Sequence, residues 1–304
     1  MRRFLSLTLS LILLAGCSPS QPADRQVDLS QPPAQSLEVP PPPPEPEPEP
    51  EPIVAHLMVG GDVMSHTPLT DDCYAHVLQF AAPQLALADY AAANLETPLA
   101  GGQHSGYPRF NSPDELAWNI REAGFDLLST ANNHTKDKGM EGLFRTLDVL
   151  DQAGVAHVGT YRSQEERDAS HGIHVADVGG ISVAFLAYTY GLNGFRIDDD
   201  LRFSANLFNL DYYTTLCNPD YQLLEEDMAA ARTLETDLIA VIVHWGNEYR
   251  TQQNVHQENL AQFLVGQGAD LVLGGHPHVL QPYMTVTAPG FDGQEREGFV
   301  IYSL

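Results

Sequence analysis

Leu-Ile-Ala-Val-Ile-Val-His-Trp-Gly, at positions 238–246, is the stretch that most directly indicates the fold. Its first six residues are apolar and rich in β-branched side chains, which predicts a buried strand over 238–243. The strand runs into His244, and Gly246 lets the chain turn away from the sheet. A buried strand that delivers a polar residue at its end is typical of a sheet covered by helices.

Further strand-like segments alternate with helical segments along residues 53–304. The predicted strands are 53–64, 90–95, 125–130, 155–158, 173–178, 181–188, 271–273 and 299–302, and the predicted helices are 112–124, 140–153, 221–235 and 257–266. Ser112 is expected to cap its helix, with Glu115 completing a capping box. Residues 191–219 are irregular and acidic, which indicates a lid or an insertion. The alternation of strands and helices predicts an α/β fold.

The first seventeen residues have the pattern of a secretion signal. A cationic start (1–3) is followed by an apolar run (4–14) and by Ala15-Gly16-Cys17. The run is too short to remain as a membrane span. Its end resembles the lipobox of bacterial lipoproteins, so we expect lipid attachment at Cys17 and a position on the extracytoplasmic face of the cell membrane. An ordinary signal peptide with an incidental cysteine is the alternative.

Residues 18–52 form a second segment, with almost no large apolar side chains. Five prolines at 40–44 precede a Glu-Pro alternation over 45–52. Such a composition cannot bury enough surface to fold, and prolines and mutually repelling glutamates extend a chain at about 3 Å per residue. We therefore expect a disordered stalk that holds one domain, residues 53–304, away from the membrane.

The charge of the chain excludes one class of partner. The formal net charge is -25, and the only lysines are Lys136 and Lys138. Nucleic acid is not expected as a partner, because phosphate binding needs a basic face. If Cys17 carries lipid, Cys73 and Cys217 remain, and their spacing leaves open whether they pair or stay separate thiols.

Polar residues with metal-binding side chains recur where the predicted strands end. They are Asp62, Glu96, Asn133, His134, His244, His276 and His278. In such folds the loops beyond the strand ends converge on one crevice, so these residues are expected to meet in space. Each alone also fits a structural role, as a hydrogen-bonded histidine or a turn residue. Their common placement favours a single site.

The chemistry of this set predicts a metal centre. Imidazole, carboxylate and amide oxygen ligands suit Mn, Zn or Fe. The set contains no cysteine, so a closed structural zinc site is not expected. It offers more ligands than one tetrahedral metal needs, and two metals about 4 Å apart, bridged by a carboxylate, would use them. One or two divalent metal ions are therefore expected.

Six short motifs resemble the capsule-synthesis CapA family. They are Gly-Asp-Val-Met (61–64), Asn-Leu-Glu-Thr-Pro-Leu (94–99), Ala-Asn-Asn-His (131–134), His-Trp-Gly-Asn-Glu-Tyr (244–249), Gly-His-Pro-His (275–278) and Ile-Tyr-Ser-Leu (301–304). The resemblance covers essentially all of 53–304 and follows the order of the family. It implies a calcineurin-like metallophosphoesterase fold, a four-layer α/β/β/α sandwich, and a role with poly-γ-glutamate capsules.

The resemblance also implies roles for individual residues. The positions that match metal ligands are Asp62, Asn133, His244, His276 and His278, and Glu96 stands where a bridging carboxylate is expected. His134 matches an acid or transition-state histidine, and Asp137 could orient it. The first motif lacks the Asp-x-His of the wider phosphoesterases, so one metal could be weakly held. The family usually continues beyond Leu304, which predicts a chain truncated at the C-terminus.

Three functions are compatible with these features. The first is a surface-anchored hydrolase or transferase in poly-γ-glutamate synthesis, export or attachment. The second is a non-catalytic accessory component that binds the polymer or membrane capsule synthase subunits, and the third is a general extracytoplasmic metallophosphoesterase. An acidic domain repels a polyanion, so polymer binding needs metal bridging or a basic spot. Arg109, Lys136 and Lys138 could supply that spot, or could be ordinary solvated charges.

Overall fold

The computed structural model describes residues 52–65 and 77–304. The signal segment with Cys17, nearly all of the expected stalk, Cys73, His66 and His76 lie outside these ranges. Lipid attachment, the stalk and a Cys73–Cys217 pairing therefore stay predictions. Within the described ranges, no helix has the length and hydropathy that crossing a membrane requires.

The first sheet has four parallel strands in the part of the chain that the structure describes. They are β1 (Leu57–Val63), β2 (Tyr90–Leu95), β3 (Leu127–Ser129) and β4 (Ala156–Val158), in that spatial order. The helices on its outer face are α1 (Ala82–Leu85), α2 (Glu115–Ala123) and α3 (Gly139–Ala153). Ile120 of α2 and Leu150 of α3 share an apolar cluster with Ala93 and Leu95 of β2, and burial of these side chains holds the helices on the sheet.

The second sheet is formed by six strands of the described ranges. They are β5 (His174–Val178), β6 (Ile181–Thr189), β7 (Leu238–His244), β8 (Leu271–Gly275), β9 (Tyr283–Pro289) and β10 (Glu295–Ile301). The spatial order is β5-β6-β7-β8-β10-β9, in which the four central strands are parallel and the two edge strands antiparallel. The later helices are α4 (Gln164–Ser170), α5 (Tyr221–Thr233) and α6 (Val255–Gly266). Of these, α5 and α6 contribute to the apolar cluster on the outer face of this sheet.

The inner faces of the two sheets pack on each other. Ala92, Leu127 and Val158 of the first sheet share one apolar cluster with Phe185 and Ile242 of the second. The layers therefore run helices, sheet, sheet, helices. This order confirms the predicted α/β fold and its four-layer α/β/β/α sandwich.

A bulge in β1 places Asp62 at the edge of the first sheet. Val59 pairs with Ala92 and Asp62 pairs with Asn94, so β1 takes one residue more than β2 between the two pairs. The irregularity falls at Gly60-Gly61, where the absence of side chains permits an unusual backbone path. Asp62 consequently lies beside Asn94, near the ends of the parallel strands.

The structure corrects the predicted start of the helix at 112–124. Helix α2 begins at Glu115, and its N-cap residue Asp114 makes no capping bond through its side chain. The Ser112 hydroxyl lies 2.9 Å from the Thr97 hydroxyl, and Asp114 forms an ion pair with Arg145. The predicted capping box is wrong because tertiary partners outside the helix take these side chains.

Residues 191–219 fold as an insertion between β6 and α5. Leu192, Leu207 and Tyr212 belong to a small apolar core of their own, and Met140 of α3 packs against it. A short 3-10 helix, Asp199–Ser204, lies within the insertion. This core fixes the insertion beside the loop that precedes α3.

Candidate metal centre

The seven expected site residues come from strand ends in both sheets. In chain order they are Asp62 in β1, Glu96 after β2, Asn133 and His134 after β3, His244 at the end of β7, and His276 and His278 after β8. Side-chain contacts and hydrogen bonds join all of them into one cluster. The convergence of strand ends, predicted from the sequence, therefore occurs in the structure.

Asp62 is held by three polar neighbours. Asn94 Nδ2 donates to its Oδ1 over 2.8 Å, and the backbone N–H of His276 donates to its Oδ2 over 3.0 Å. His278 Nδ1 lies 3.1 Å from the same Oδ2. Burial alone would raise the pKa of Asp62, but the hydrogen bonds from His278, Asn94 and the backbone of His276 help to outweigh it and lower the pKa below its usual range. The carboxyl group of Asp62 is therefore ionised at neutral pH.

Glu96 is the most deeply buried acid of the cluster, with 0% of its surface exposed. Its Oε1 lies 3.4 Å from His244 Nε2 and 3.9 Å from His278 Nε2. Neither carboxyl oxygen accepts a hydrogen bond from any described residue. Burial raises the pKa of Glu96 well above its usual range, and the charge of Asp62 adds to the effect. A buried carboxylate without donors is unfavourable, and a bound cation would offset that cost.

Glu96 is shared by two groups of side chains whose ligand atoms lie within 4.8 Å of one another. One group is Asp62, Glu96 and His244, and the other is Glu96, His276 and His278. Nδ1 of His276 is also buried without a hydrogen-bond partner among the described residues. The unsatisfied atoms and the mixture of carboxylate and imidazole donors fit a divalent cation. The described residues thus contain a candidate site for divalent metal.

The two most buried imidazoles of the cluster are neutral at physiological pH. Burial lowers the pKa of His244 to about 4. Burial also lowers the pKa of His276, to about 2. The pKa of His278 is raised instead, because it hydrogen-bonds to Asp62. Neutral imidazole is the form that binds metal, so His244 and His276 are in the ligand-competent state.

Asn133 brings an amide oxygen into the same cluster. Its Oδ1 lies 2.8 Å from His244 Nε2. Its Nδ2 donates to Asn193 Oδ1 over 3.1 Å, which fixes the direction of the amide. The geometry places Asn133 beside the two ligand groups, and its own role as a ligand stays a prediction.

His134 and Asp137 form a buried pair next to the ligand groups. His134 Nδ1 lies 2.7 Å from Asp137 Oδ2, which also accepts a 2.7 Å hydrogen bond from the backbone N–H of Phe110. The Phe110 ring meets the imidazole edge-on, with centroids 4.6 Å apart. Because Asp137 holds Nδ1, it fixes the ring and leaves Nε2 as the nitrogen that can exchange a proton with a substrate.

Three asparagines that the sequence analysis did not assign to the site support it. Asn94 Nδ2 lies 3.3 Å from His244 Nδ1. Asn132 donates to Asn94 Oδ1 over 3.1 Å and accepts from the backbone N–H of His134 over 3.1 Å. Asn193 Nδ2 lies 3.4 Å from His134 Nδ1. Asn94 and Asn132 stand within the family motifs, which was a usable signal, whereas no pattern marks Asn193 in the irregular insertion.

The backbone of the Gly-His-Pro-His segment is strained at both histidines. His276 and His278 have φ angles of 95° and 55°, a region that residues with side chains rarely adopt. Gly275 permits a close approach to the cluster, because a Cβ atom there would lie 2.9 Å from Asp62 Oδ1. Strain of this kind is typical of sites where the surrounding structure dictates side-chain positions.

The other described histidines lie outside both ligand groups. They are His56, His104, His157, His171, His174 and His256. His157 Nε2 lies 3.2 Å from Asp151, and His174 Nε2 lies 3.0 Å from the Tyr90 hydroxyl. These contacts fit surface or packing roles.

A cavity of about 570 Å³ opens beside His276. Its lining includes Tyr190, Trp245, Cys217 and Glu248. The Tyr190 ring lies 4.8 Å from the His276 ring, so the cavity borders the candidate metal centre. It has the size of a small-molecule pocket and gives a substrate group room next to the ligands.

Comparison with known protein families shows to which family the chain belongs. The family model of the bacterial capsule synthesis protein PGA_cap matches residues 56–304, which is well over half of the chain. The chain belongs to the PGA_cap family. The matched range contains all six motifs quoted from the sequence, so the family resemblance inferred from them is confirmed.

Two curated relatives of this PGA_cap member come from Bacillus. It is 29% identical to the capsule biosynthesis protein CapA of Bacillus anthracis over 243 residues, which cover 77% of this chain and 53% of that protein. It is 28% identical to the PGA biosynthesis protein CapA of Bacillus subtilis (strain 168) over 212 residues, which cover 68% of this chain and 52% of that protein. The chain spans about half the length of the curated relatives that it matches.

Solved structures with partial similarity include two from Thermus thermophilus. A hypothetical protein has a TM-score of 0.46 and 22% identity, covering 82% of this chain and 75% of that chain. A 5'-nucleotidase precursor has a TM-score of 0.46 and 17% identity, covering 82% of this chain and 48% of that chain. The four-layer fold of the PGA_cap member is established by its own sheets and helices.

Proposed function

We propose that this PGA_cap member is a metal-dependent hydrolase or transferase that acts on poly-γ-glutamate during its synthesis, export or attachment. The observation that carries the proposal is Glu96, which is buried without hydrogen-bond donors among the described residues and is shared by two ligand groups. A module that only bound polymer would gain nothing from an unsatisfied carboxylate at that point. The printed names of the two Bacillus relatives support a capsule polymer as the substrate.

The proposed metal chemistry uses one or two divalent ions, Mn, Zn or Fe. The residues that would hold them are Asp62, Glu96, Asn133, His244, His276 and His278. A divalent ion bound there supplies Lewis-acid polarisation of a substrate oxygen. Asn94 orients Asp62 through its 2.8 Å hydrogen bond, which keeps the carboxylate directed at the cluster.

The proposed proton chemistry belongs to His134. As water, in hydrolysis, or an acceptor group, in transfer, forms the new bond and the scissile bond breaks, Nε2 of His134 donates a proton to the leaving group while Asp137 holds Nδ1. The Phe110 ring and the burial of both side chains keep bulk water away from this pair. Proton transfer is thereby directed to the substrate in the cleft.

The proposed location is the outer face of the cell membrane. Its support is the sequence pattern that ends at Cys17 and the proline-rich stalk that follows it. A lipid anchor at Cys17 would tether the domain to the membrane that contains the proposed protein partners, the subunits of a capsule synthase. It would also confine the substrate to material outside the cytoplasm, such as a cell-envelope polymer.

The first test is metal analysis of the full-length protein purified without chelator. We expect at least one bound transition metal per chain, lost in Glu96→Gln and strongly reduced in Asp62→Asn. Glu225→Gln, which changes an exposed carboxylate on α5, is the matched control and should keep the metal. A wild-type chain that binds no divalent metal when Mn, Zn or Fe is supplied would overturn the proposal.

The second test is restoration of cell-associated poly-γ-glutamate in a strain that lacks the gene. We expect the wild type and Glu225→Gln to restore the polymer and His134→Ala to fail while keeping its metal. If His134→Ala restores the polymer fully, the protein acts as an accessory component instead of an enzyme. If deletion of the gene leaves the polymer unchanged, and the wild type hydrolyses simple phosphate esters while Asp62→Asn does not, the protein is a general phosphoesterase.

A further inference from the structure

Three cations lie on the His134 side of the candidate metal centre. They are Arg109, Lys136 and Lys138, and we name them the basic rim. The two lysines are the only lysines of a chain with 40 acidic residues. Arg109 is exposed and both lysines are partly exposed, so their charges are accessible to a ligand.

Hydrogen bonds and a ring contact hold the basic rim in place. Lys138 Nζ donates to Ser105 Oγ over 2.7 Å, and Ser105 Oγ in turn donates to the backbone carbonyl of Arg109 over 2.6 Å. The Arg109 guanidinium lies 4.9 Å from the centroid of the Phe195 ring. Lys136 Nζ donates to the backbone carbonyl of Arg196 in the same insertion. The basic rim therefore joins three separate segments of the chain.

The basic rim has no acidic partner among the described residues, where no carboxylate oxygen lies within 4.0 Å of any of its three cations. Most other arginines of the described ranges do have one. They are Arg121, Arg145, Arg162, Arg167, Arg196 and Arg296. In a chain with a large excess of acid, grouped cations without acidic partners mark a surface that is available to an anion.

The basic rim adjoins the residue proposed to move the proton. Asp137, which lies between the two lysines in sequence, holds His134 Nδ1 at 2.7 Å. Phe110, next to Arg109, meets the same imidazole edge-on. Asn193, two residues before Phe195, lies 3.4 Å from His134 Nδ1. The three segments that carry the basic rim are therefore the segments that hold His134.

We propose that the basic rim is a carboxylate-binding subsite that holds γ-linked glutamate units next to the unit at the metal centre. The inference rests on the proposed function, because it takes the polymer as the substrate. The net charge of -25 repels a polycarboxylate elsewhere on the protein, so this surface sets where the polymer docks. Lysine suits such a role, because its flexible ammonium group can follow carboxylates whose spacing varies along a polymer.

Binding of a short fluorescein-labelled oligomer of γ-linked glutamate to the full-length protein in detergent tests the subsite. The variants are K136Q/K138Q and the triple variant that adds R109Q. The matched control is R121Q/R296Q, which removes one charge from the last turn of α2 and one from β10, neither of them a residue of the candidate site. K136R/K138R keeps both charges and serves as the rescue, and an oligomer with esterified carboxyl groups serves as the uncharged probe.

We expect the triple variant to bind the oligomer about tenfold more weakly and with a flatter salt dependence. The control and the rescue variant should bind like the wild type, and the esterified oligomer should bind poorly to all of them. Equal affinity of the wild type and the triple variant, or no binding to the wild type, would overturn the subsite. Asp62→Asn separates the two proposals. If this variant loses metal but keeps binding that depends on the basic rim, the subsite is supported independently of the metal. If the metal-free variant also restores the polymer, the metal-dependent function is contradicted.

Discussion

His134 Nδ1 lies 2.7 Å from Asp137 Oδ2, and the two side chains are only 7% and 1% exposed. A carboxylate in this position selects the tautomer of a histidine and stabilises the ring when it carries an additional proton. Asp137→Asn keeps the size of the side chain but removes the negative charge. We expect the rate of the polymer reaction to fall about 100- to 10,000-fold, which the turnover rate of the purified variant would measure.

The control for this change is Asp148→Asn, which alters an exposed carboxylate of α3. The metal content of Asp137→Asn should equal that of the wild type, because Asp137 belongs to neither ligand group. A variant with normal turnover would show that Asp137 holds the loop through Phe110 without assisting His134.

Glu96→Gln should separate metal binding from folding. The shared carboxylate belongs to both ligand groups, so its loss should lower occupancy of every bound ion. In metal-free protein the same change removes a buried acid that has no hydrogen-bond donors and whose ionisation is disfavoured by burial, so the free energy of unfolding should rise by about 1–3 kcal/mol. Thermal unfolding with chelator and with added Mn²⁺ would measure both effects. The same stability for both proteins in chelator would contradict the structural assignment of Glu96.

The sequence allowed the clustering of the site residues to be predicted because several of them follow a segment with a plain apolar pattern. His244 ends the run 238–243, and His276 follows the run 271–273. Parallel pairing of these strands then brings their ends to one edge. The physical rule that relates strand ends to a common crevice was sufficient for this part of the site.

Other elements depend on tertiary partners that local sequence does not encode. Strand β9 is mostly exposed and carries no continuous apolar run, and it forms because its backbone pairs along the whole of β10. Helix α6 begins at Val255, two residues before the predicted start, because Asn254 and Gln257 form a capping box. Asn193 reaches His134 only through the path of the insertion, which no periodicity predicts.

A buried ion pair outside the site gives a pH-dependent prediction. Arg167 holds both oxygens of Asp227 at 2.9 and 2.8 Å, and the Tyr188 hydroxyl donates to the same carboxylate. Burial raises the pKa of Asp227 even with Arg167 present. Arg167→Gln leaves the buried carboxylate without its counter-charge, so we expect the free energy of unfolding at neutral pH to fall by about 3–5 kcal/mol.

The sign of the pH effect follows from the raised pKa. In the folded variant Asp227 holds its proton to higher pH than in the unfolded chain, so the penalty is present at neutral pH. Below the ordinary value of 3.8 the group is protonated in both states, and the penalty disappears. The stability difference between wild type and Arg167→Gln should therefore shrink as pH falls toward that value, measured by denaturant unfolding. A difference that stays constant with pH would assign the effect to packing alone.

Gly275→Ala tests how closely β8 must approach the proposed metal ligands. An added Cβ would lie 2.9 Å from Asp62 Oδ1, so either Asp62 or the end of β8 must move. Overpacking of this kind costs about 1–3 kcal/mol, and here the displaced group is a ligand of the proposed site. We expect metal affinity to fall about tenfold or more, measured by competition with a chelating dye, while the overall fold measured by circular dichroism stays the same. Unchanged metal affinity would show that Asp62 can shift without loss and would weaken its assignment as a ligand. Because Gly275 has no side chain and cannot itself bind metal, a loss of affinity would report only on the position of its neighbours.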